Sequence, residues 1–142
     1  MNRARVLLAD DHGAVCESVA SLLELDFDVV GTAANGLELL TKAERLHPDV
    51  IVTDISMPML DGIEAATQLR ASNSPAKVIF LTVHDGTQIV RAGLAAGALG
   101  YVIKSRLTTD LIPAIHEVVA GHRFISPSLH FLDTNSTEEN TL

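Results

Sequence analysis

The chain has 142 residues, 47% of them hydrophobic and only 4% aromatic, which is enough for one domain with an aliphatic core. Its net charge of −8 disfavours contact with a phosphate backbone, so we expect no nucleic-acid binding by the chain itself. The single cysteine, Cys16, excludes an intrachain disulfide, and no apolar run approaches the ~18 residues of a membrane span. We therefore expect a cytoplasmic protein without membrane contact.

Strand-like and helix-like patterns alternate along the chain. Predicted strands cover residues 4–9, 27–32, 49–53, 77–82 and 99–103, and predicted helices cover residues 14–25, 37–46, 63–71, 87–96 and 109–120. Helix two is expected to end at His47 because Pro48 follows it. Helix four contains Gly93, and an interior glycine costs roughly 0.5–1 kcal/mol. Helix five is expected to be capped by Thr108 or Thr109, with Pro113 near its first turn.

Strict strand–helix alternation with right-handed crossovers predicts an α/β fold with a parallel sheet covered by helices on both faces. The second strand alternates apolar and polar residues, as edge strands do, and this fits the doubly wound, flavodoxin-like strand order 2-1-3-4-5. We expect one domain over residues 3–121. Residues 122–142 are expected to form a linker-like segment and a polar, disordered C-terminal tail.

Polar side chains follow four of the predicted strands. Asp10 and Asp11 follow the first strand and Asp54 follows the third, while Thr82 and Lys104 end the fourth and fifth. Each of these residues alone has an ordinary explanation, such as Asp11 capping the first helix. Together, however, they would meet at the carboxyl edge of a parallel sheet, where open α/β sheets bind ligands.

Three carboxylates at one edge repel one another unless a cation lies between them. Two unit charges 4 Å apart interact by about 4 kcal/mol at an effective dielectric constant of 20. Mg²⁺ accepts one or two carboxylates, a carbonyl oxygen and several waters. We therefore predict a Mg²⁺ site made by Asp10, Asp11 and Asp54, with the backbone carbonyl of Ser56 as a further ligand.

The pattern resembles the receiver domains of two-component response regulators. The residues that carry the resemblance are Asp10 and Asp11, the stretch 54–62, Thr82, Tyr101 and Lys104. The resemblance implies that Asp54 is the phosphoacceptor, that Asp10 and Asp11 hold Mg²⁺, and that Thr82 and Lys104 contact the phosphoryl group. It also implies that Tyr101 is an aromatic switch residue. Such a domain takes up and loses its phosphoryl group by itself, and in that sense it is not an enzyme acting on a separate substrate.

The resemblance also implies which partners the chain has and which process it controls. A receiver implies a sensor histidine kinase as phosphoryl donor, and it can form homodimers on phosphorylation. Residues 81–85, 92–104 and 121–129 are similar to receivers of LuxR-type transcription regulators, which implies DNA regulation through a further domain. The chain ends at Leu142 with no room for that domain. A stand-alone receiver acting through protein–protein contacts therefore stays open as the alternative.

Three other classes of protein fit the sequence less well, and one residue departs from the receiver pattern. An aspartyl-phosphate phosphatase of the haloacid dehalogenase type needs a second acid two residues after Asp54, where Ser56 stands. A flavin or nucleotide module needs a glycine-rich turn, which residues 10–13 do not supply. A degenerate receiver that only binds is disfavoured because all five site positions are present. Ser105 stands where many receivers have proline, so we expect a trans peptide bond after Lys104.

Overall fold

A computed structural model describes residues 3–83 and 87–126, and for residues 87–90 it describes the backbone. The strands are β1 (Arg5–Ala9), β2 (Asp28–Ala33), β3 (Val50–Asp54), β4 (Lys77–Thr82), β5 (Gly100–Ile103) and β6 (Phe124–Ile125). The helices are α1 (Gly13–Leu23), α2 (Gly36–Leu46), α3 (Gly62–Ala71), α4 (Thr87–Ala95) and α5 (Leu107–Val119). A 3-10 turn, Lys104–Arg106, connects β5 to α5.

The strands form one parallel sheet in the order β2-β1-β3-β4-β5-β6. The predicted order 2-1-3-4-5 is thus confirmed, with β2 at an edge, and a short sixth strand is added beside β5. Sequence periodicity did not predict β6 as a strand, because two residues are too few to show an alternation. In β6, Ile125 lies opposite Tyr101 of β5.

Successive strand residues point to opposite faces of the sheet, and each face carries its own hydrophobic core. On one face, Leu7, Ile51 and Phe80 pack with α2, α3 and the residues after α4. On the other face, Leu8, Val52 and their neighbours pack with α1 and α5. Both faces of the central strands are therefore dry, which leaves the strand ends as the place for polar groups.

Helix ends agree with the sequence prediction at α2 and differ at α5. α2 ends at Leu46, and His47 takes a left-handed conformation with φ 50° before Pro48. α5 begins at Leu107 rather than at the predicted residue 109, and Arg106 precedes it without a side-chain cap. The predicted threonine cap is therefore wrong, and Pro113 lies inside the helix rather than in its first turn. The reason is the 3-10 turn, which carries the chain directly from β5 into α5.

The chain beyond the predicted domain boundary at residue 121 contributes β6 to the same sheet. The boundary itself stays a prediction, and the tail predicted for residues 133–142 lies outside the described residues. Among the helices that the structure describes, none combines the length and the apolar character needed to cross a membrane.

Candidate functional site

The site is built where β1, β3, β4 and β5 end at one edge of the sheet. Ala9 of β1 lies beside Thr53 of β3 in register, so Asp10 and Asp54 leave neighbouring strands at the same level. Asp10 is 5% exposed and Asp54 is 8% exposed, which is unusual for carboxylates that lack a partner. The predicted meeting of these two acids is confirmed by the geometry.

Lys104 is the partner of both buried acids. Its Nζ donates to Oδ2 of Asp10 at 3.0 Å and to Oδ2 of Asp54 at 3.1 Å. Burial disfavours the ammonium, but the hydrogen bonds and charges of the two aspartates outweigh that cost, so the pKa of Lys104 is raised. Lys104 therefore neutralises part of the repulsion between the acids, and the peptide bond that follows it is trans, as expected.

Asp11 completes the acidic group. The helix N-cap after β1 is His12 rather than Asp11, so the carboxylate of Asp11 is not used as a helix cap. One ligand atom each from Asp10, Asp11, His12 and Asp54 lies within 4.8 Å of all the others. These residues can converge on a single ion.

His12 was missed by the sequence reasoning. Its Nδ1 lies 3.2 Å from Oδ1 of Asp10 and 3.1 Å from Oδ1 of Asp11, and its backbone N–H donates to Asp10 at 2.9 Å. A histidine that directly follows two site acids is the signal that could have pointed to it. The ring is largely exposed, so it can turn away from the two carboxylates when a cation binds them.

The donor set fits a hard divalent cation. Three carboxylates within reach of one point, two of them buried, are the oxygen ligands that Mg²⁺ prefers. Ser56 directs its backbone N–H toward Oδ1 of Asp54 at 3.4 Å. The predicted use of the Ser56 carbonyl as a ligand stays a prediction.

The loop after Asp54 is held against its surroundings by two glycines. The Gly62 N–H donates to the carbonyl of Ile55 at 2.8 Å, and a Cβ at Gly62 would lie 2.2 Å from the carbonyl oxygen of Asp54. The Gly36 N–H donates to the carbonyl of Leu60 at 2.9 Å. Only a residue without a side chain permits these close approaches, so the loop position depends on both glycines.

Thr82 and Tyr101 take different positions relative to the acids. Thr82 ends β4 and is 1% exposed. It lies opposite Ile103, the residue that directly precedes Lys104. Tyr101 is fully buried in the core beside Phe80, with ring centroids 5.8 Å apart, and does not belong to the acidic group. Tyr101 therefore lies apart from the acidic group, in the core on the face of the sheet that α2 and α3 cover.

The phenol of Tyr101 has an unusual environment. Within the described part of the chain, its buried hydroxyl has no hydrogen-bond partner. Burial alone raises the pKa of this phenol well above its ordinary value. An unpartnered buried hydroxyl costs about 1–3 kcal/mol, so the inward position of Tyr101 is not fully stabilised.

The sequence of the chain matches a known protein family and several proteins of that family. Residues 6–116 match the family model described as the response regulator receiver domain. The response regulator GacA of Pseudomonas viridiflava is 39% identical over 127 residues, which cover 88% of this chain and 59% of that protein. The nitrate/nitrite response regulator protein NarL of Escherichia coli (strain K12) is 34% identical over 128 residues, covering 89% of this chain and 59% of that protein. The chain thus spans less than two thirds of the length of these relatives.

Solved structures agree with the sequence matches. A two-component response regulator of the LuxR family from Aurantimonas sp. SI85-9A1 has a TM-score of 0.90 and 33% identity, covering 96% of this chain and 99% of that one. The isolated REC domain of RcsB from Salmonella enterica serovar Typhimurium, in the presence of phosphomimetic BeF3-, has a TM-score of 0.84 and 29% identity, with 92% and 99% covered. Fold, site and sequence agree, and the chain belongs to the response regulator receiver domain family of two-component systems.

Proposed function

We propose that Asp54 accepts a phosphoryl group from the phosphohistidine of a sensor histidine kinase, and that the chain changes conformation as a result. The observation that supports this most is the pairing of Lys104 with both Asp10 and Asp54 at the carboxyl edge of the sheet. A buried carboxylate with an ammonium group already beside it is prepared for the charge that a phosphoryl group brings.

In the proposed transfer, an oxygen of Asp54 forms a bond to phosphorus while the phosphorus–nitrogen bond of the donor breaks. The electron pair of the broken bond goes to the histidine nitrogen. Lys104 turns from Asp54 toward a phosphoryl oxygen, and the Ser56 N–H, 3.4 Å from Oδ1 of Asp54, donates to the same group. Asp10 and Asp11 would hold Mg²⁺, which, when bound, would neutralise phosphoryl charge.

The proposed switch uses Thr82 and Tyr101. Thr82 moves its hydroxyl toward the phosphoryl group, and Tyr101 moves into the space that Thr82 leaves. The unpartnered hydroxyl of Tyr101 supports this step, since a different position of the ring would relieve its cost.

The output we propose is control of transcription from a DNA-binding domain outside this chain. Relatives named as transcriptional regulators, such as LnrK of Bacillus subtilis (strain 168), support this, and this chain covers 58% of LnrK. A cytoplasmic location, homodimerisation on phosphorylation and a non-enzymatic role belong to the same proposal. A stand-alone receiver would instead act through protein contacts, and the gene sequence downstream of codon 142 distinguishes the two.

Phosphorylation of the purified chain tests the proposal. The chain is incubated with Mg²⁺ and either acetyl phosphate or phosphoramidate, whose phosphorus–nitrogen bond resembles that of phosphohistidine. We expect intact-mass spectrometry to show one added phosphoryl group that hydroxylamine removes. Asp54→Asn should abolish the label, whereas Asp61→Asn, which changes only the cap of α3, should keep it. Removal of Mg²⁺ with EDTA should also prevent labelling.

Two results would reject the proposal. Labelling of Asp54→Asn to the wild-type extent would show that another residue accepts the phosphoryl group. Multiple turnover of p-nitrophenyl phosphate would identify a phosphatase instead of a phosphoacceptor.

A further inference from the structure

Ser126 follows β6, lies beyond residues 6–116 that match the receiver family, and is completely buried. Its hydroxyl donates to Oδ2 of Asp110 at 2.8 Å and accepts from the N–H of Ile103 at 3.1 Å. Its own N–H donates to the carbonyl of Tyr101 at 2.9 Å. The Ser126 hydroxyl thus pairs with the N–H of Ile103 at the end of β5 and connects it to Asp110 of α5. The Ser126 backbone pairs with the carbonyl of Tyr101.

Asp110 is the second member of this cluster. It lies on α5, is 4% exposed, and accepts two hydrogen bonds from the Arg106 guanidinium, at 2.9 Å from Nε and 3.3 Å from Nη2. A carboxylate held by a bidentate arginine has a fixed orientation. Ser126 therefore binds to a rigid acceptor, and we call Ser126, Asp110 and Arg106 the Ser126 cluster.

The Ser126 cluster contacts β5 at the two residues on either side of Val102. The Tyr101 carbonyl and the Ile103 N–H are both bound by Ser126, and Lys104 comes directly after Ile103. Lys104 must extend from this point to reach Asp10 and Asp54 at 3.0 and 3.1 Å. Because phosphoryl transfer depends on how the reacting groups are placed, a shift of Ile103 would also displace Lys104 from its partners.

We propose that Ser126 is a positioning residue for Lys104, so that the segment after α5 takes part in phosphorylation of Asp54. This inference rests on the proposed function. Coupling between two sites is reciprocal, so a change of Lys104 partner on phosphorylation also changes how firmly Ser126 is held. Phosphorylation of Asp54 then affects the chain that continues from Ser126. The effect passes through β5, and the continuing chain does not contact the phosphoryl group.

The test measures the initial rate of Asp54 phosphorylation by acetyl phosphate and Mg²⁺ in the full chain. We expect Ser126→Ala to lower this rate about three- to tenfold, the effect of one or two lost hydrogen bonds. Ser72→Ala is the matched control, because its hydroxyl donates to the carbonyl of Leu69 at the far end of α3. That variant should stay within about twofold of the wild-type rate.

A double-mutant cycle separates positioning from general destabilisation. If Ser126 acts through Lys104, Ser126→Ala should change the rate by less than about twofold in a Lys104→Ala background. An undiminished effect in that background, or a wild-type rate in the single variant, would overturn the inference. Should Ser126→Ala fail to fold, Asp110→Asn keeps the shape of the cluster with a weaker acceptor and is judged by the same cycle.

Amide hydrogen exchange distinguishes failure of this inference from failure of the proposed function. If the wild-type chain does not label at Asp54, the proposed function is wrong. The positioning of β5 is then still tested, because Ser126→Ala should speed exchange at Ile103 and Lys104 more than Ser72→Ala does. Equal exchange in the two variants would reject the role of Ser126 whatever the labelling result.

Discussion

Lys104 joins carboxylates that lie 94 and 50 residues earlier in the chain. Its ammonium is mostly buried, with 19% of the side chain exposed, and Asp10 and Asp54 are more buried still. Because these contacts exist without a phosphoryl group, the proposed phosphorylation would make Lys104 exchange a partner and not simply gain one. On that proposal, the free energy of switching comes largely from Thr82 and Tyr101.

Replacement of Lys104 by methionine should expose the repulsion between Asp10 and Asp54. We expect the free energy of unfolding, measured with urea, to fall by about 1.5–3 kcal/mol, the size of hydrogen bonds to charged groups. Mg²⁺ should restore more stability to Lys104→Met than to the wild type, because the ion replaces the missing charge. Lys42→Met is the control, since Lys42 pairs with Glu38 and donates to the carbonyl of Thr32 at the surface, and its loss should cost less than the loss of Lys104. Equal losses in both variants would contradict this explanation.

Tyr101 is the only tyrosine and the chain has no tryptophan, so its absorbance reports on one site. Burial raises the pKa of the phenol in the folded protein, so its contribution to stability is complete below the ordinary value of 10.0. That contribution is lost as the pH rises toward the higher folded pKa. At about pH 11 the native chain should therefore show little tyrosinate absorbance, while the urea-unfolded chain is ionised.

Beryllofluoride should change this titration. If Tyr101 moves into the space that Thr82 leaves in the activated state, the surroundings of its hydroxyl change, and the pKa of the phenol should differ from that of the free protein. The same absorbance measurement with beryllofluoride and Mg²⁺ tests this, and an unchanged titration curve would reject Tyr101 as the switch residue.

Helix α4 contains a glycine whose low helix propensity conflicts with its position in the helix. Gly93 lowers helix propensity, yet a Cβ at this position would lie 2.7 Å from Cε2 of Tyr101 and 3.0 Å from the Phe80 ring. The glycine is therefore needed where α4 crosses the aromatic pair. Sequence reasoning recognised the cost of Gly93, but not that it makes room for the inward ring of Tyr101.

Gly93→Ala should separate propensity from packing. Alanine favours a helix by about 0.8–1.0 kcal/mol over glycine, but displacement of the rings costs about 1–3 kcal/mol. We expect a net loss of thermal stability and a Tyr101 fluorescence spectrum closer to that of the beryllofluoride-bound wild type. Gly13→Ala on α1 is the matched control, because a Cβ there meets nothing within 4 Å. It should leave stability unchanged or raise it, and a stabilised Gly93→Ala would disprove the packing argument.

At the scale of the whole molecule, the two hydrophobic cores hold the sheet rigid and leave chemistry to its carboxyl edge. The net charge of −8 acts on the molecule as a whole. It disfavours approach to DNA, so the proposed output needs a further domain.

We therefore expect the 142-residue chain not to shift duplex DNA in an electrophoretic mobility assay at about 0.15 M salt, with or without beryllofluoride. A full-length protein that carried a DNA-binding domain would serve as the positive control. A sequence-dependent shift by the chain alone would show that the described domain itself contacts DNA.

The sequence by itself determined the sheet order and the meeting of Asp10, Asp11, Asp54 and Lys104. Periodicity identifies strands, right-handed crossovers order them, and parallel strands end at one edge, so local information is sufficient. Only the tertiary structure decided that Lys104 pairs with two acids at once, that Gly93 makes room for Tyr101, and that Ser126 anchors Ile103. These contacts join distant parts of the chain through side-chain reach and rotamer, which no local pattern encodes.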